Sequence, residues 1–136
     1  MNVVLIDDDP VLSQQLRLLL SELSIDLEAI EDIDTAYEYL VKRNSRCNYI
    51  VCDLMMRPGR LFTQEETFGG IRTGVEFIKR IKNDRDVLRT IPIAAYSISS
   101  NKDIIRELLE LGVTFYSKTK MLPRELVSQI SMEIRC

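Results

Sequence analysis

Apolar residues along the chain follow two patterns, short continuous runs and longer stretches with helical spacing. The short runs, which predict five strands, are Val3–Ile6, Ile25–Ile30, Tyr49–Cys52, Ile91–Tyr96 and Val113–Ser117. The stretches between them carry apolar residues at intervals of three and four, the spacing of helices that pack one face against a sheet. Strands that alternate with helices predict right-handed crossovers and a parallel sheet. The sequence therefore predicts a single α/β domain.

Two of the strands have patterns that predict their places in the sheet. The run Tyr49–Cys52 is apolar at every position, as expected of a strand that is buried on both faces. In Ile25–Ile30, by contrast, apolar residues alternate with the acidic Asp26 and Glu28, which suits a half-exposed strand at an edge. We therefore expect the strand order 2-1-3-4-5, with the second strand outermost.

Capping residues mark where the helices are expected to begin. Asp9 fits the N-cap position of a first helix, because the next residue, Pro10, is favoured at the first helical position. Thr73 and Glu76 have the spacing of a capping box, so a third helix is expected to begin there. The other predicted boundaries are Asp34 as the cap of a second helix that reaches about Asn44, Ser99 or Ser100 at the start of a fourth, Gly112 at its end, and Pro123 at the start of the last.

The composition restricts the chemistry that is available. The chain has 136 residues, a net charge of −3 and no histidine, so base catalysis by imidazole is excluded. The small net charge gives no reason to expect direct binding to nucleic acid. No apolar run approaches the ~20 residues of a membrane-spanning helix, and Cys47, Cys52 and Cys136 lack the spacing of metal ligands. We expect a cytoplasmic protein with reduced cysteines and no membrane insertion.

Polar side chains follow the carboxyl ends of four predicted strands: Asp7 and Asp8 after the first, Asp53 after the third, Ser97 after the fourth and Lys118 after the fifth. In a parallel sheet these ends lie at one edge, where open α/β sheets bind their ligands. Three converging carboxylates raise one another's pKa unless a cation lies between them. Hard oxygen ligands with room for waters suit Mg²⁺, while a lysine and a hydroxyl suit the oxygens of a transferred phosphoryl group. We therefore expect Asp53 to accept a phosphoryl group.

Four segments carry a resemblance to a known family: VLIDDDP at the first strand, YIVCDLMM at the third, IPIAAYS at the fourth and FYSK at the fifth. Together they resemble the receiver domain of bacterial two-component response regulators, over essentially all of residues 1–136. The resemblance implies a flavodoxin-like (βα)5 fold and a phosphorylation-dependent signalling switch. It implies that Asp53 takes its phosphoryl group from a sensor histidine kinase or a histidine phosphotransfer protein. The domain would not be an enzyme beyond its own phosphorylation and the hydrolysis of its aspartyl phosphate.

The resemblance also assigns roles to the residues around Asp53. The implied ligands of Mg²⁺ are Asp7, Asp8, Asp53 and the main-chain carbonyl of Met55. Ser97 and Lys118 would bind the phosphoryl oxygens. Movement of Ser97 toward the phosphoryl group would let Phe115 turn inward and would change the surface of the fourth helix, the fifth strand and the last helix. A downstream protein, which the sequence does not identify, would read that surface.

Two features depart from the family pattern. Residues 57–73 form an inserted loop with roughly a dozen extra residues, because the glycine that receivers reach soon after the phosphorylated aspartate corresponds here to Gly74. Long loops of this kind are either functional or disordered, so a lid or docking loop and a mobile segment without a role both stay open. Thr119 follows Lys118 where the family usually has a proline after a cis peptide bond, and the sequence leaves open whether this bond is cis or trans.

Two other functions are compatible with these residues. The first is a receiver-like interaction module that works without phosphorylation, which the loop and Thr119 would favour and the complete acidic set disfavours. The second is a phosphatase of the haloacid-dehalogenase type, in which Asp7 would be the nucleophile and Asp9 the acid and base. Such phosphatases need further carboxylates after the lysine, and only Glu125 and Glu133 follow Lys118.

Overall fold

A parallel five-stranded sheet runs through the middle of the computed structural model, which describes residues 1–42, 46–99 and 101–134. The strands are β1 (Asn2–Ile6), β2 (Asp26–Ile30), β3 (Tyr49–Cys52), β4 (Ile93–Ser97) and β5 (Thr114–Ser117). They are hydrogen-bonded in the order β2-β1-β3-β4-β5, and all four pairings are parallel. The predicted α/β fold and strand order are therefore confirmed.

Five α-helices connect the strands and cover both faces of the sheet. They are α1 (Pro10–Ser21), α2 (Ile33–Tyr37), α3 (Thr73–Asp84), α4 (Lys102–Glu110) and α5 (Pro123–Ile134). A π-helical turn, Glu38–Lys42, continues α2, and a 3₁₀ turn, Asp86–Arg89, precedes β4. Within the described ranges no helix is long and apolar enough to cross a membrane.

The central strand β3 shows why the sheet needs helices on both sides. Ile50 and Cys52 belong to the core beneath α2, α3 and α4, whereas Tyr49 and Val51 belong to the core beneath α1 and α5. All four side chains are buried, as the unbroken apolar run predicted. The edge strand β2 differs in the expected way, since its two acidic side chains are exposed while Leu27 is buried.

The helix starts agree with the sequence at α1 and differ at α2. Asp9 caps α1, where its Oδ1 atom accepts hydrogen bonds from the amides of Val11 and Leu12. The predicted cap of the second helix was wrong: the cap is Asp32, which accepts a hydrogen bond of 2.8 Å from the Thr35 amide. Asp34 is already inside the helix, and its carboxylate serves another segment. The predicted end near Asn44 falls outside the described residues.

The capping box predicted at the start of α3 does not form, although the helix does begin at Thr73. Thr73 is fully buried, and its hydroxyl makes no hydrogen bond within the described structure. Arg72 occupies the cap position, so Thr73 is already the first residue of the helix, and Glu76 pairs with Arg72. Arg72 also forms an ion pair of 2.5 Å with Glu107 on α4, which connects the start of α3 to that helix.

The start of α4 also differs from the prediction, whereas its end agrees with it. Asn101 is the cap, accepting hydrogen bonds from the amides of Asp103 and Ile104. Ser99 is therefore not the cap, and the alternative, Ser100, lies outside the described residues. At the other end Gly112 adopts a φ of +77°, the left-handed conformation that commonly terminates helices.

Candidate functional site

The pairing of β1 with β3 brings two predicted carboxylates together at the carboxyl edge of the sheet. Ile6 lies opposite Cys52, and the Asp53 amide donates a hydrogen bond of 2.9 Å to the Ile6 carbonyl, so Asp7 and Asp53 emerge side by side. The amide of Leu54 donates a bond of 2.8 Å to Asp53 Oδ1, which fixes the carboxylate at the end of the strand. Asp53 is buried, so its charge must be balanced by its neighbours.

Asp7, Asp8 and Asp53 form one acidic cluster, in which a carboxylate oxygen from each residue lies within 4.8 Å of the other two. Asp7 and Asp53 are buried and Asp8 is exposed, so the cluster opens to solvent on one side. Burial raises the pKa of Asp7 above its ordinary value, and the charge of Asp53 adds to this effect. Hydrogen bonds from Lys118 and from the Asp9 amide oppose it only in part. Such a set of hard oxygen atoms, partly open to water, fits Mg²⁺.

Lys118 reaches the cluster from the end of β5. Its Nζ atom lies 2.7 Å from Asp7 Oδ2 and 3.6 Å from Asp53 Oδ2, so one ammonium group bridges two carboxylates. Burial lowers the pKa of Lys118, but the bond to Asp7 and the charges of the acidic residues outweigh burial and the pKa is raised. The lysine is therefore positively charged at neutral pH.

Ser97 lies at the same edge, whereas Phe115 does not. Ser97 is fully buried at the end of β4, and the amide of Lys118 donates a bond of 2.9 Å to its carbonyl. Its hydroxyl accepts a bond of 3.4 Å from the Ser99 amide. Phe115 is half-buried on β5, opposite Ala95, and packs against the core under α4. Ser97 and Phe115 thus lie on adjacent strands, two residues apart in the register of β4 and β5.

The peptide bond between Lys118 and Thr119 is trans. The turn that follows is held by Ser117, whose hydroxyl accepts a hydrogen bond of 3.2 Å from the Thr119 amide and lies 2.8 Å from the Thr119 hydroxyl. Lys118 nevertheless reaches both carboxylates. A turn held by the Ser117 hydroxyl is therefore found at the position where receiver domains usually have a proline.

Asp9 takes no part in the acidic cluster. Its carboxylate is occupied at the start of α1, as the cap interpretation predicted. The pairing of Asp7 with Lys118 is compatible with the phosphatase hypothesis as well as with a receiver, so it does not distinguish them. The position of Asp9 does distinguish them, because the acid and base of such a phosphatase is occupied here at the start of α1.

Gly74 is a site residue whose physical role the sequence did not reveal. Its amide donates a hydrogen bond of 2.9 Å to the Leu54 carbonyl, which brings α3 directly against the backbone after Asp53. A Cβ atom at this position would collide with the Asp53 carbonyl oxygen and would lie 2.6 Å from the Leu54 Cα atom. Only glycine permits this approach, so the loop 57–73 must return the chain to a glycine beside β3.

The loop 57–73 is held by Asp34, a contact that sequence reasoning missed. The Asp34 carboxylate accepts hydrogen bonds from the amides of Arg60 and Leu61, at 2.9 Å and 3.2 Å. A capping box does form in this chain, but inside the loop, where Thr63 and Glu66 bond each other's amides. The signal for it was present, because residues 63–66 repeat the spacing of residues 73–76.

Comparison with known proteins agrees with this geometry. The sequence matches the response regulator receiver domain over residues 3–131. The chain therefore belongs to the family of response regulator receiver domains, whose members are signalling modules of two-component systems rather than enzymes in the ordinary sense. A comparison with curated protein sequences gives no significant match.

Several solved receiver structures share the fold. The Mn²⁺-bound form of the response regulator Rcp1 is 23% identical with a TM-score of 0.74, and the alignment covers 96% of this chain and 91% of that one. The isolated receiver domain of RcsB from Salmonella enterica serovar Typhimurium, with the phosphomimetic BeF3−, is 19% identical with a TM-score of 0.76, covering 99% and 88%. The receiver domain of a histidine kinase from Syntrophus aciditrophicus is 21% identical with a TM-score of 0.75, covering 98% and 89%. At these identities the likeness shows the fold alone.

Proposed function

We propose that this domain is a phosphorylation-dependent switch in which Asp53 accepts the phosphoryl group. The observation that carries the proposal is the position of Lys118, whose ammonium group bridges Asp53 and Asp7 inside the acidic cluster. A fixed positive charge beside a buried carboxylate is what an incoming phosphoryl group requires. Membership of the receiver family supports phosphorylation-dependent signalling in general.

In the proposed reaction an Asp53 carboxylate oxygen forms a bond to phosphorus while the bond between phosphorus and the donor's histidine nitrogen breaks. The electron pair of the broken bond stays on the imidazole, and the product is an aspartyl phosphate. The amide of Leu54 holds the Asp53 carboxylate in one orientation, so little freedom remains to be lost during transfer. Lys118 and Ser97 would bind the phosphoryl oxygens, and the donor would be a sensor histidine kinase or a histidine phosphotransfer protein.

The acidic cluster would hold Mg²⁺ through Asp7, Asp8, Asp53 and the main-chain carbonyl of Met55, and the ion would neutralise charge on the phosphoryl oxygens. The cluster fits such an ion because its oxygens already converge, while Asp8 faces solvent and leaves room for waters. The similar structure of Rcp1 is an Mn²⁺-bound form, and that of RcsB was solved in the presence of a phosphomimetic, which supports the same chemistry here by analogy.

The proposed output is a change in the surface of α4, β5 and α5. A phosphoryl group adds charge and three strong acceptors beside Ser97. Movement of the Ser97 hydroxyl toward it would free space for Phe115, which is only half-buried on the neighbouring strand. Two packings of one aromatic side chain are enough to bias the position of α4, and a downstream protein would distinguish them.

Labelling with a small donor tests the acceptor role. The protein is incubated with Mg²⁺ and acetyl phosphate, and intact mass is measured for the wild type and for Asp53→Asn. We expect a gain of one phosphoryl group in the wild type and none in the variant. Label on Asp7 would instead favour the phosphatase hypothesis. No label on either protein would favour a receiver-like module that works without phosphorylation.

A further inference from the structure

The loop 57–73 is a folded segment with its own hydrogen bonds. Asp34 holds its first turn, and the Thr63–Glu66 box holds its middle. Thr67 is fully buried, and its hydroxyl donates a bond of 3.1 Å to the Thr63 carbonyl. Gly70 is buried as well, with a φ of +99°. These contacts fix the loop's backbone, so the side chains that it exposes have defined positions.

The loop exposes an aromatic side chain at a strained position. Phe68 has a φ of +50°, a conformation that bulky residues rarely adopt, and its side chain is 67% exposed. A hydrogen bond of 2.8 Å from the Gly69 amide to the Gln64 carbonyl closes the turn around it. Backbone strain of this kind persists only where the surroundings enforce it, and it concentrates at functional sites. The turn therefore holds the Phe68 ring in solvent, at a defined position on the loop.

A cleft separates the loop from the acidic cluster. Its volume is about 280 Å³, and Asp8 lines it together with Met55, Gly70 and Ile71. Met55 is 41% exposed and Ile71 is 45% exposed, so the cleft offers two apolar side chains to solvent. Asp8 belongs to both the cleft and the acidic cluster, so the cleft borders the cluster that contains Asp53.

Arg57 adds a positive charge to the same cleft. It lines the cleft beside Asp8, and its side chain has no hydrogen bond or ion pair within the described structure. The cleft therefore combines apolar side chains with an available guanidinium group. This combination is complementary to an anionic phosphoryl group that is carried on an apolar protein surface, because arginine binds phosphate in a bidentate geometry.

We propose that the loop 57–73, together with Met55, is the surface on which the phosphodonor protein docks. Phe68 and Ile71 would contact apolar residues that flank the donor's phosphohistidine, while Arg57 would face its phosphoryl group. The inference rests on the proposed function, because a donor must bring its phosphorus within bonding distance of Asp53. A small acyl phosphate needs none of these contacts, so its rate of labelling reports on the chemistry at Asp53 and not on docking.

Phosphotransfer profiling tests the proposal. The phosphorylated histidine-containing domains of the kinases and phosphotransfer proteins encoded in the same genome are presented one at a time to the wild type, Phe68→Asn and Ile71→Ser. Asparagine tolerates a positive φ, so Phe68→Asn removes the ring and keeps the turn. Val87→Ser is the matched control, because Val87 is 56% exposed in the 3₁₀ turn before β4, far from the acceptor edge. Thermal melting shows that each variant is folded.

We expect each loop variant to slow transfer from the preferred donor at least tenfold, while labelling by acetyl phosphate stays within twofold of the wild type. Val87→Ser should leave both rates unchanged. Transfer at the wild-type rate in both loop variants would overturn the proposal. So would an absence of labelling by every protein donor while acetyl phosphate labels Asp53, although the acceptor role would then stand. A loss of self-association in the loop variants without a change in transfer would assign the surface to a second copy instead.

Discussion

Single residues at the carboxyl edge of the sheet are constrained either by charge or by space. Charge constrains Asp53, Asp7 and Lys118, because the lysine is paired with both carboxylates. Space constrains Gly74, because the backbone after Asp53 occupies the volume that a side chain would need. The residue types at this edge therefore follow from both the chemistry and the packing.

Gly74→Ala is predicted to destabilise the fold by about 3 kcal/mol, since the added methyl group meets backbone atoms that cannot move aside. Urea unfolding measures the change in the free energy of unfolding. Gly69→Ala is the control, because Gly69 has a φ of +69° but no atom within 4 Å of an added Cβ, so only the conformational cost of about 1 kcal/mol is expected. Equal costs for the two variants would contradict this account of Gly74.

Asp7→Asn is predicted to stabilise the protein at neutral pH when Mg²⁺ is absent, because burial raises the pKa of the Asp7 carboxyl group. The pKa of Asp7 is raised on folding, so the folded state binds this proton more tightly than the unfolded state. The free energy of unfolding must therefore fall as pH rises from the ordinary value of 3.8 through the raised pKa. Asparagine removes that fall and still offers an oxygen to Lys118.

Urea unfolding at a series of pH values checks the Asp7 prediction. The curve of stability against pH should be flatter for Asp7→Asn than for the wild type above pH 3.8. Asp103→Asn is the control, because its carboxylate is exposed on α4, and it should leave the curve unchanged. A steeper fall in Asp7→Asn would show that the carboxylate stabilises the fold.

At the scale of elements, the loop 57–73 depends on a contact between distant parts of the chain. Asp34 lies 26 positions before Arg60, whose amide it binds. An added Cβ at Gly59 would lie 2.6 Å from the same carboxylate, so the turn at Gly59 is shaped to receive it. The Asp34 carboxylate therefore holds the start of α2 and the start of the loop together.

Asp34→Ala is predicted to release the first turn of the loop and to cost about 1 kcal/mol, because the Arg60 and Leu61 amides lose their acceptor. Hydrogen exchange followed by mass spectrometry should show faster exchange in a peptide that covers residues 57–62, with little change in β3. Glu31→Gln, which changes a nearby exposed carboxylate, should leave exchange in that peptide as it is in the wild type. Unaltered exchange in Asp34→Ala would mean that the loop is held by its internal bonds alone.

These elements show which features of the fold can be predicted from sequence patterns and which cannot. The five strands and the convergence of Asp7, Asp53 and Lys118 were predictable, because an apolar run and the rule for parallel strands fix which residues meet. The cap of α2 was not predictable, because the local sequence suits Asp32 and Asp34 equally well. The choice between them depends on the distant loop 57–73. Thr63 and Thr73 share one motif in the same way. The box forms at Thr63, which is exposed, and not at Thr73, which is buried as the first residue of α3.

At the scale of the whole molecule, the acidic cluster stores an electrostatic cost that a cation can relieve. The two buried carboxylates share the ammonium group of Lys118, and the exposed Asp8 adds a third negative charge to the cluster. Ions that bind only the folded state stabilise it by mass action, by about 2.7 kcal/mol when their concentration is a hundred times the dissociation constant. Metal binding at this site should therefore be visible in global stability.

Millimolar Mg²⁺ is predicted to raise the melting temperature of the wild type and to have little effect on Asp8→Asn, compared at equal ionic strength with NaCl. Asp8 is the suitable position, because it is exposed and its replacement leaves the core intact. Differential scanning calorimetry measures both proteins. An equal rise in the two would show that the ion binds elsewhere or acts only by screening charge.

The ion pair between Arg72 and Glu107 limits how the loop 57–73 could be transplanted into another receiver domain. Arg72 closes the loop 57–73 and Glu107 belongs to α4, so the segment is fastened at its far end to a different helix from the one that holds its beginning. A transplanted loop would arrive without either attachment. A working graft must therefore carry Asp34 and Glu107 with it, as three separate pieces of sequence that only the folded chain assembles.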